Sequence, residues 1–378
     1  MIDYIDAALF LDDSLDKQIF IVSDDQTINI TNADIVGESL TVEESISSED
    51  NLYFGTVESN RIKFTVRNTM PRMLKKWITV QITPHGATEP FEYGRYYVRS
   101  DKPSSDRSTR DIVAYDGLYK ILTNTYKRWY NSIWANTSEM TVKQFRIAWF
   151  TRLAQTHPWL EQEDVTLPND SLVLKKSKKI QRPSGRDIFK AICEINGCFG
   201  RIGRDNKFHY ITLDGLSGAH EITKTYTMSV EYEDYNTATI DRVEILSSDG
   251  AIVGDAGASE ENAENKYVIE SNFMLKGIGG DSSSTAKSRL EQAASNLFNA
   301  IRYVSFKPFK GEFKGNPCLE VGDPILCYSH DQTIMTYILN RSLKGIQSLR
   351  DEYVAEGDAE YPEKQNTLTK QKIGRAHV

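Results

Sequence analysis

The chain has 378 residues, 39% of them apolar and 10% aromatic. That suits a globular protein with more than one core, roughly two to four domains. A formal charge of −8 without a long basic block excludes a protein built to grip nucleic acid, which needs clustered Lys and Arg against phosphate. No run approaches the ~18 apolar residues of a membrane helix.

The start, Met1-Ile-Asp-Tyr, lacks the basic and apolar regions of a signal peptide, so synthesis and solubility in a cytoplasm are expected. Cys193, Cys198, Cys318 and Cys327 are too few and too unevenly spaced for a disulfide framework or a CxxC zinc site. They are expected as buried thiols acting as small apolar groups.

Residues 1–27 read as an irregular lead-in with short apolar pieces. Short strand signals then follow in quick succession. Ile28 and Ile30 alternate with Asn29, and Leu40 and Val42 with Thr41. Ile62, Phe64 and Val66 share one parity and Arg61, Lys63 and Thr65 the other, as in a strand with one dry face. Ile78, Val80 and Ile82, then Tyr96 and Val98, then Ile112 and Ala114, continue the series. Strands at this spacing predict a sandwich or barrel.

At Asp116-Gly117 the period changes. Leu118–Leu122 opens a helical segment. Thr141–Thr156 predicts a helix with Val142, Phe145, Trp149 and Leu153 inward and Lys143, Gln144, Arg146 and Arg152 for the wet side. Ser184 caps the next helix, with Asp187 completing a capping box, Ile188, Ile192 and Ile195 as the dry stripe, and Gly197 as the stop. A hairpin over 198–213 follows.

From Thr223 strands resume at Met228, Val230 and Tyr232, then Ile240, Val243 and Ile245. Residues 250–265 read as a low-complexity surface loop. Thr285–Tyr303 predicts a helix lined by Leu290, Ala293, Leu297 and Ile301, capped by Ser284 or Thr285. Strands return from Val304 through Leu339, and beyond Arg350 the chain reads as polar and loose. The fold class is therefore mixed α+β, mostly β. A first β-barrel domain with its lead-in covers 1–115, an α+β domain 116–222, a second β-barrel domain with an inserted loop and helix 223–350, and a polar tail 351–378.

Residues 373–378, Ile373-Gly-Arg-Ala-His-Val378, match one frame of a common sequencing adaptor (ATC GGA AGA GCA CAC GTC). On that reading the natural protein runs further.

No catalytic set, metal set or cofactor motif emerges. The six histidines, His85, His157, His209, His220, His330 and His377, have neither HExxH nor HxH spacing. His157 reads as a helix-end residue and His209 as a strand side chain. Asp12, Asp13 and Asp16 read as a solvated turn, because no Gly or distal Glu completes a calcium loop. Glu43-Glu44 and Glu260-Glu261 read as wet surface. Gly277-Ile-Gly-Gly280 lacks the lysine of a phosphate loop and reads as a plain loop. Trp129, Tyr130, Trp134, Trp149 and Trp159 read as core, or else as an aromatic platform for a sugar or a partner.

Three passages in order carry a family resemblance. They are Phe54-Gly-Thr-Val-Glu-Ser-Asn-Arg-Ile-Lys-Phe with Gly94-Arg-Tyr-Tyr-Val98 and Asp111-Ile-Val-Ala-Tyr-Asp-Gly-Leu-Tyr119, then Ser184-Gly-Arg-Asp-Ile-Phe189 with Gly197-Cys-Phe-Gly-Arg-Ile202, then Asn316-Pro-Cys-Leu-Glu-Val-Gly-Asp-Pro-Ile325. Over most of 30–350 the chain resembles the tail hub proteins of long-tailed phages, some of them named prophage tail endopeptidases.

The resemblance implies a homotrimer with two similar barrels per subunit, forming a ring of pseudo-sixfold symmetry in the virion. The ring would join the distal tail and tape-measure proteins to the tip or fibre, and DNA would pass through it without specific binding. It implies no cofactor and no enzymatic activity in this region, and no membrane insertion. Two alternatives stand beside it: a tail-associated endopeptidase or cell-wall hydrolase with its catalytic module outside this chain, and a carbohydrate-binding tail protein using the Trp-rich region.

Overall fold

A computed structural model describes residues 4–47, 52–177, 181–247, 250–280, 283–329 and 332–359. The adaptor-like residues 373–378, His330 and His377 lie outside them.

The chain opens with helix α1 (Tyr4–Leu11). Seven strands follow: β1 (Lys17–Ser23), β2 (Asn29–Ile30), β3 (Thr41–Ser45), β4 (Arg61–Arg67), β5 (Trp77–Pro84), β6 (Phe91–Pro103) and β7 (Thr109–Tyr115). In β4 the dry parity is as expected, with Ile62, Phe64 and Val66 buried. The expected irregular lead-in is corrected. Lys17, Ile19, Ile21 and Ser23 alternate inward, so β1 pairs along its length with β5. The Lys17 ammonium is buried because it donates to the carbonyls of Asp12 at 2.8 Å and Gln347 at 3.0 Å, which replace its water.

The central region holds α2 (Leu118–Thr123), α3 (Lys127–Ile133), β8 (Glu139–Thr141), α4 (Val142–Ala154), β9 (Glu161–Gln162), β10 (Val173–Lys175), α5 (Gly185–Asn196), β11 (Phe199–Ile202) and β12 (Lys207–Ile211). Both helix starts follow from side-chain chemistry. Thr141 and Gln144 form a reciprocal capping box on α4, and Ser184 and Asp187 do the same on α5. Gly197 ends α5 at φ 67°, a left-handed conformation that glycine adopts without a Cβ clash. The change of period at Asp116 is built from three donors. Its buried carboxylate accepts from the Ser59 hydroxyl at 2.6 Å, the Asn60 amide at 2.9 Å and the Leu118 amide at 3.0 Å. Burial nevertheless lifts its pKa to about 6.

The rest comprises β13 (His220–Glu221), β14 (Thr227–Tyr232), β15 (Arg242–Leu246), β16 (Val253–Gly257), β17 (Lys266–Ile269), α6 (Ser283–Ile301), β18 (Phe309–Lys314), β19 (Pro324–Tyr328), β20 (Thr333–Tyr337), β21 (Asn340–Lys344) and β22 (Arg350–Ala355). Four local expectations are corrected here. The stretch 250–265 carries β16, which pairs with β15 and lies against α6. Gly254 permits this approach, since a Cβ there would stand 2.2 Å from the Leu290 backbone. Helix α6 already begins at Ser283, so Ser284 and Thr285 lie inside it and are not its cap. Phe273–Gly280 is a 3₁₀ helix and not a loop, and Gly277 abuts the Lys175 carbonyl. The stretch after Arg350 is not loose through Ala355. Asp351, Tyr353 and Ala355 alternate inward, and β22 pairs on both sides.

The protein is mostly β with a few helices, a mixed α+β fold. Its main sheet has eleven strands in the order β14-β18-β22-β21-β3-β4-β7-β6-β5-β1-β2. The order is open, with β14 and β2 at its ends. Strands from the two ends of the sequence meet at one seam, where β21 pairs antiparallel with β3. Leu343, Ile346 and Leu349 accordingly pack into the same core as Ile19, Phe64 and Ile112. A second, larger core joins α2 to α6 with β11, β12 and the C-terminal strands.

Candidate functional site

The seam concentrates the chain's buried charge. In register, Arg341 of β21 faces Glu44 of β3 on one side and Tyr353 of β22 on the other. The Arg341 guanidinium donates to Asp351 through Nε at 2.8 Å and Nη2 at 3.0 Å, a bidentate pair. Nη1 donates to Glu44 at 3.1 Å and to the Leu319 carbonyl, and Nη2 to the Asn316 carbonyl at 2.8 Å. Asp351 also accepts from the Asn316 amide and the Tyr353 hydroxyl, at 2.8 and 2.9 Å.

From the central region, Arg201 of β11 and Arg204 in the turn after it approach Glu44 at 3.9 and 3.8 Å, and both pair with Glu320. Burial pushes the Glu44 carboxyl toward neutrality, but Arg204, Arg201 and Arg341 outweigh it and hold the pKa below the ordinary value. Three parts of the chain, near residues 44, 201–204 and 316–353, are thus tied by one ionic knot. Unlike an exposed pair, it cannot be opened without stranding charge away from water.

This corrects the reading of Glu43-Glu44. Glu43 is half-buried and pairs with Arg61 and Lys63 on the wet face, whereas Glu44 is buried. Arg146 is corrected too. Although it sits among wet-side residues of α4, it turns inward to make a bidentate pair with Asp170, both bonds 2.8 Å, and lies 5.5 Å from the Tyr210 ring.

A second joint lies on the wet face of the N-terminal strands. Trp77 of β5, Tyr97 of β6 and Tyr115 of β7 are successive cross-strand partners. Lys120 of α2 sits 3.4 Å above the Tyr97 ring, Tyr119 stacks on Tyr115 at 4.6 Å, and Trp159 meets Trp77 edge-on at 5.5 Å. This row of rings is what the central region docks on. Among the tryptophans, Trp134 and Trp149 are buried with Tyr130, Trp129 and Trp159 are half-buried, and the rings pack on one another, as the core reading expects.

His209 on β12 lies between Glu163 at 3.1 Å and Asp205 at 2.8 Å. The Glu163 hydrogen bond, with help from Asp205 and against burial, raises its pKa to about 8. The protonated ring is therefore favoured in the folded state. Its contribution is complete below the unfolded pKa of about 6.5 and is lost as pH rises through about 8. Discounted for partial exposure, it is worth about 1 kcal/mol. Urea midpoints measured from pH 6 to 9 should fall across that window, and His209→Gln should flatten the fall.

Asp12 accepts from the Ser14 amide and hydroxyl, while Asp13 pairs with Lys314 and Arg350 from distant parts of the chain. His85 is exposed, and His157 and His220 are half-buried in separate places. Cys193, Cys198 and Cys327 are buried, Cys318 is half-buried, and none forms a disulfide. Among the described residues no group of three metal-ligating side chains converges.

Comparison with known proteins gave no matching family model and no matching curated protein. Solved structures do match. A tail protein from Neisseria meningitidis MC58 aligns over 92% of this chain and 100% of its own, at 11% identity and a TM-score of 0.54. The chain has a phage tail protein fold. A 43 kDa tail protein of prophage MuSo2 from Shewanella oneidensis aligns over 91% of this chain and 100% of its own, at 9% identity and a TM-score of 0.51. At such identities the tail fold is what is shared, and its side chains are this chain's own. Glu44 escaped sequence reading because it looked like an ordinary surface charge, and its partners lie too far along the chain for local spacing to connect them. Parity was the available signal: Glu44 shares that of Leu40 and Val42, Arg341 that of Leu343, and Asp351 that of Tyr353.

Proposed function

We propose that this protein is a structural hub of a phage or prophage tail tip. In this reading it forms a homotrimeric ring that joins the tail tube to the tip or fibre and gates DNA passage. Regions 1–115 and 223–350 are the two barrel-like modules and 116–222 is peripheral. Its neighbours are the distal tail, tape-measure and tip proteins, and its location is the virion after synthesis in the host cytoplasm. The reading makes the chain a scaffold with no chemistry of its own in this region.

One observation carries the proposal: the tail-protein fold is shared over the full length of two solved tail proteins. Two features support it. A scaffold under load needs its parts fixed, and the knot at residues 44, 201, 204, 341 and 351 fixes three of them. A ring also needs edges, and among the described residues β14 pairs only with β18, at one end of the sheet. Light scattering on the full chain at micromolar concentration should give three times the chain mass. A monomer across the accessible range would count against the ring.

A further inference from the structure

The chain is acidic, yet from residue 118 to 155 it carries three lysines and three arginines against one carboxylate, Glu139. Glu139 is itself engaged by Arg289 and Lys175. Elsewhere most arginines meet a carboxylate, as Arg61, Arg95, Arg110, Arg186 and Arg242 do. Arg128 and Arg152 have no carboxylate partner among the described residues, and Arg152 donates only to Gln155, at 2.8 Å.

These two arginines flank a groove of about 550 Å³ between α3 and α4. Trp129, Ile133 and Ala148 give it apolar surface, and Ser132, Thr151 and Gln155 line it beside them. Trp129 is held from beneath by Trp149 and Phe145, at ring distances of 4.9 and 5.8 Å, so it presents a fixed edge. Ile147, beside Ala148 on α4, is 48% exposed although the rest of that helix follows a clean inward stripe.

We propose that the α3–α4 groove docks an acidic, amphipathic segment of another protein. Charge indicates the sign of the occupant: two guanidiniums without a carboxylate partner on an electropositive stretch favour carboxylates opposite them. The apolar side chains indicate its class. Ile133 and Ala148 beside one anchored indole, with exposed Ile147 next to Ala148 along α4, suit the apolar face of a peptide helix, and tryptophan with arginine is the composition of interface anchors.

The test uses the full chain and a fluorescein-labelled 18-residue helical peptide with leucines on one face and glutamates on the other. A twin with lysine for glutamate, and heparin, are the comparators. The acidic peptide should bind, and the lysine twin should bind at least about tenfold more weakly. Arg128→Glu with Arg152→Glu should weaken binding by about tenfold or more, and Ile147→Ser by about threefold. All of these positions are exposed or half-exposed, and circular dichroism would confirm that each variant folds. Failure of the acidic peptide to bind, or equal binding of both peptides, would overturn the proposal. So would heparin binding that depends on the two arginines but not on Ile147. The outcome is independent of the ring: a monomer that binds the peptide sinks the hub alone, and a trimer that does not sinks the groove alone.

Discussion

Arg341→Ala should cost about 3–5 kcal/mol of folding stability, or prevent folding altogether. The side chain is 1% exposed and makes five hydrogen bonds, to two carboxylates and two carbonyls. Its loss leaves Asp351 and Glu44 buried with their charges reduced in compensation, and the cost of that stranded charge exceeds the worth of any single bond. Arg341→Lys keeps the charge but cannot bond Asp351 through two nitrogens while also reaching Glu44, so an intermediate loss is expected. Urea unfolding at pH 7 measures both. A loss below about 1 kcal/mol for the alanine variant would show that the seam is not held by charge. The pH dependence has a definite sign. Because the Glu44 pKa is depressed by folding, its contribution is present above the ordinary glutamate value of 4.5 and is lost as pH falls below it.

Trp149→Ala is expected to be as severe, at about 3–5 kcal/mol, for an unrelated reason. The indole is fully buried at the centre of the larger core, where it meets Tyr126, Trp129 and Phe189 at ring distances of 4.6 to 5.5 Å. Truncation removes apolar burial and leaves a void that α4 and α5, each pinned by a capping box, cannot close by sliding. Trp129→Ala offers the contrast. Its ring is half-buried at the groove, so its stability loss should be clearly smaller. Thermal or urea unfolding of the two variants side by side checks the order. Equal losses would mean that the Trp129 and Trp149 positions are one packing unit.

The local chemistry of the helices was legible because it is written within a few residues. Thr141 with Gln144 and Ser184 with Asp187 are three apart, and the Gly197 stop directly follows the last turn of α5. Strands with clean parity, such as β4 and β5, were legible for the same reason. What sequence reading missed were strands whose inward positions carry polar groups. Lys17 hid β1, and Asp351 hid β22, because a charged residue on the dry parity looks like the end of a pattern. Each is tolerated because partners replace water: the Asp12 and Gln347 carbonyls for Lys17, and Arg341 for Asp351.

The sequence by itself determined that this is a mostly β, mixed α+β protein, where α4 and α5 start, and the order of passages that resembles phage tail hubs. Short-range periodicity and capping suffice for those, since each depends on neighbours within one or two turns. Only the tertiary structure decided that β3 and β21, some 300 residues apart, share a seam in one eleven-strand sheet, and that Glu44 and Arg341 face each other across it. Strand pairing between distant segments is set by which faces can be buried together and which charges can be neutralised there. Neither is a property of any one stretch.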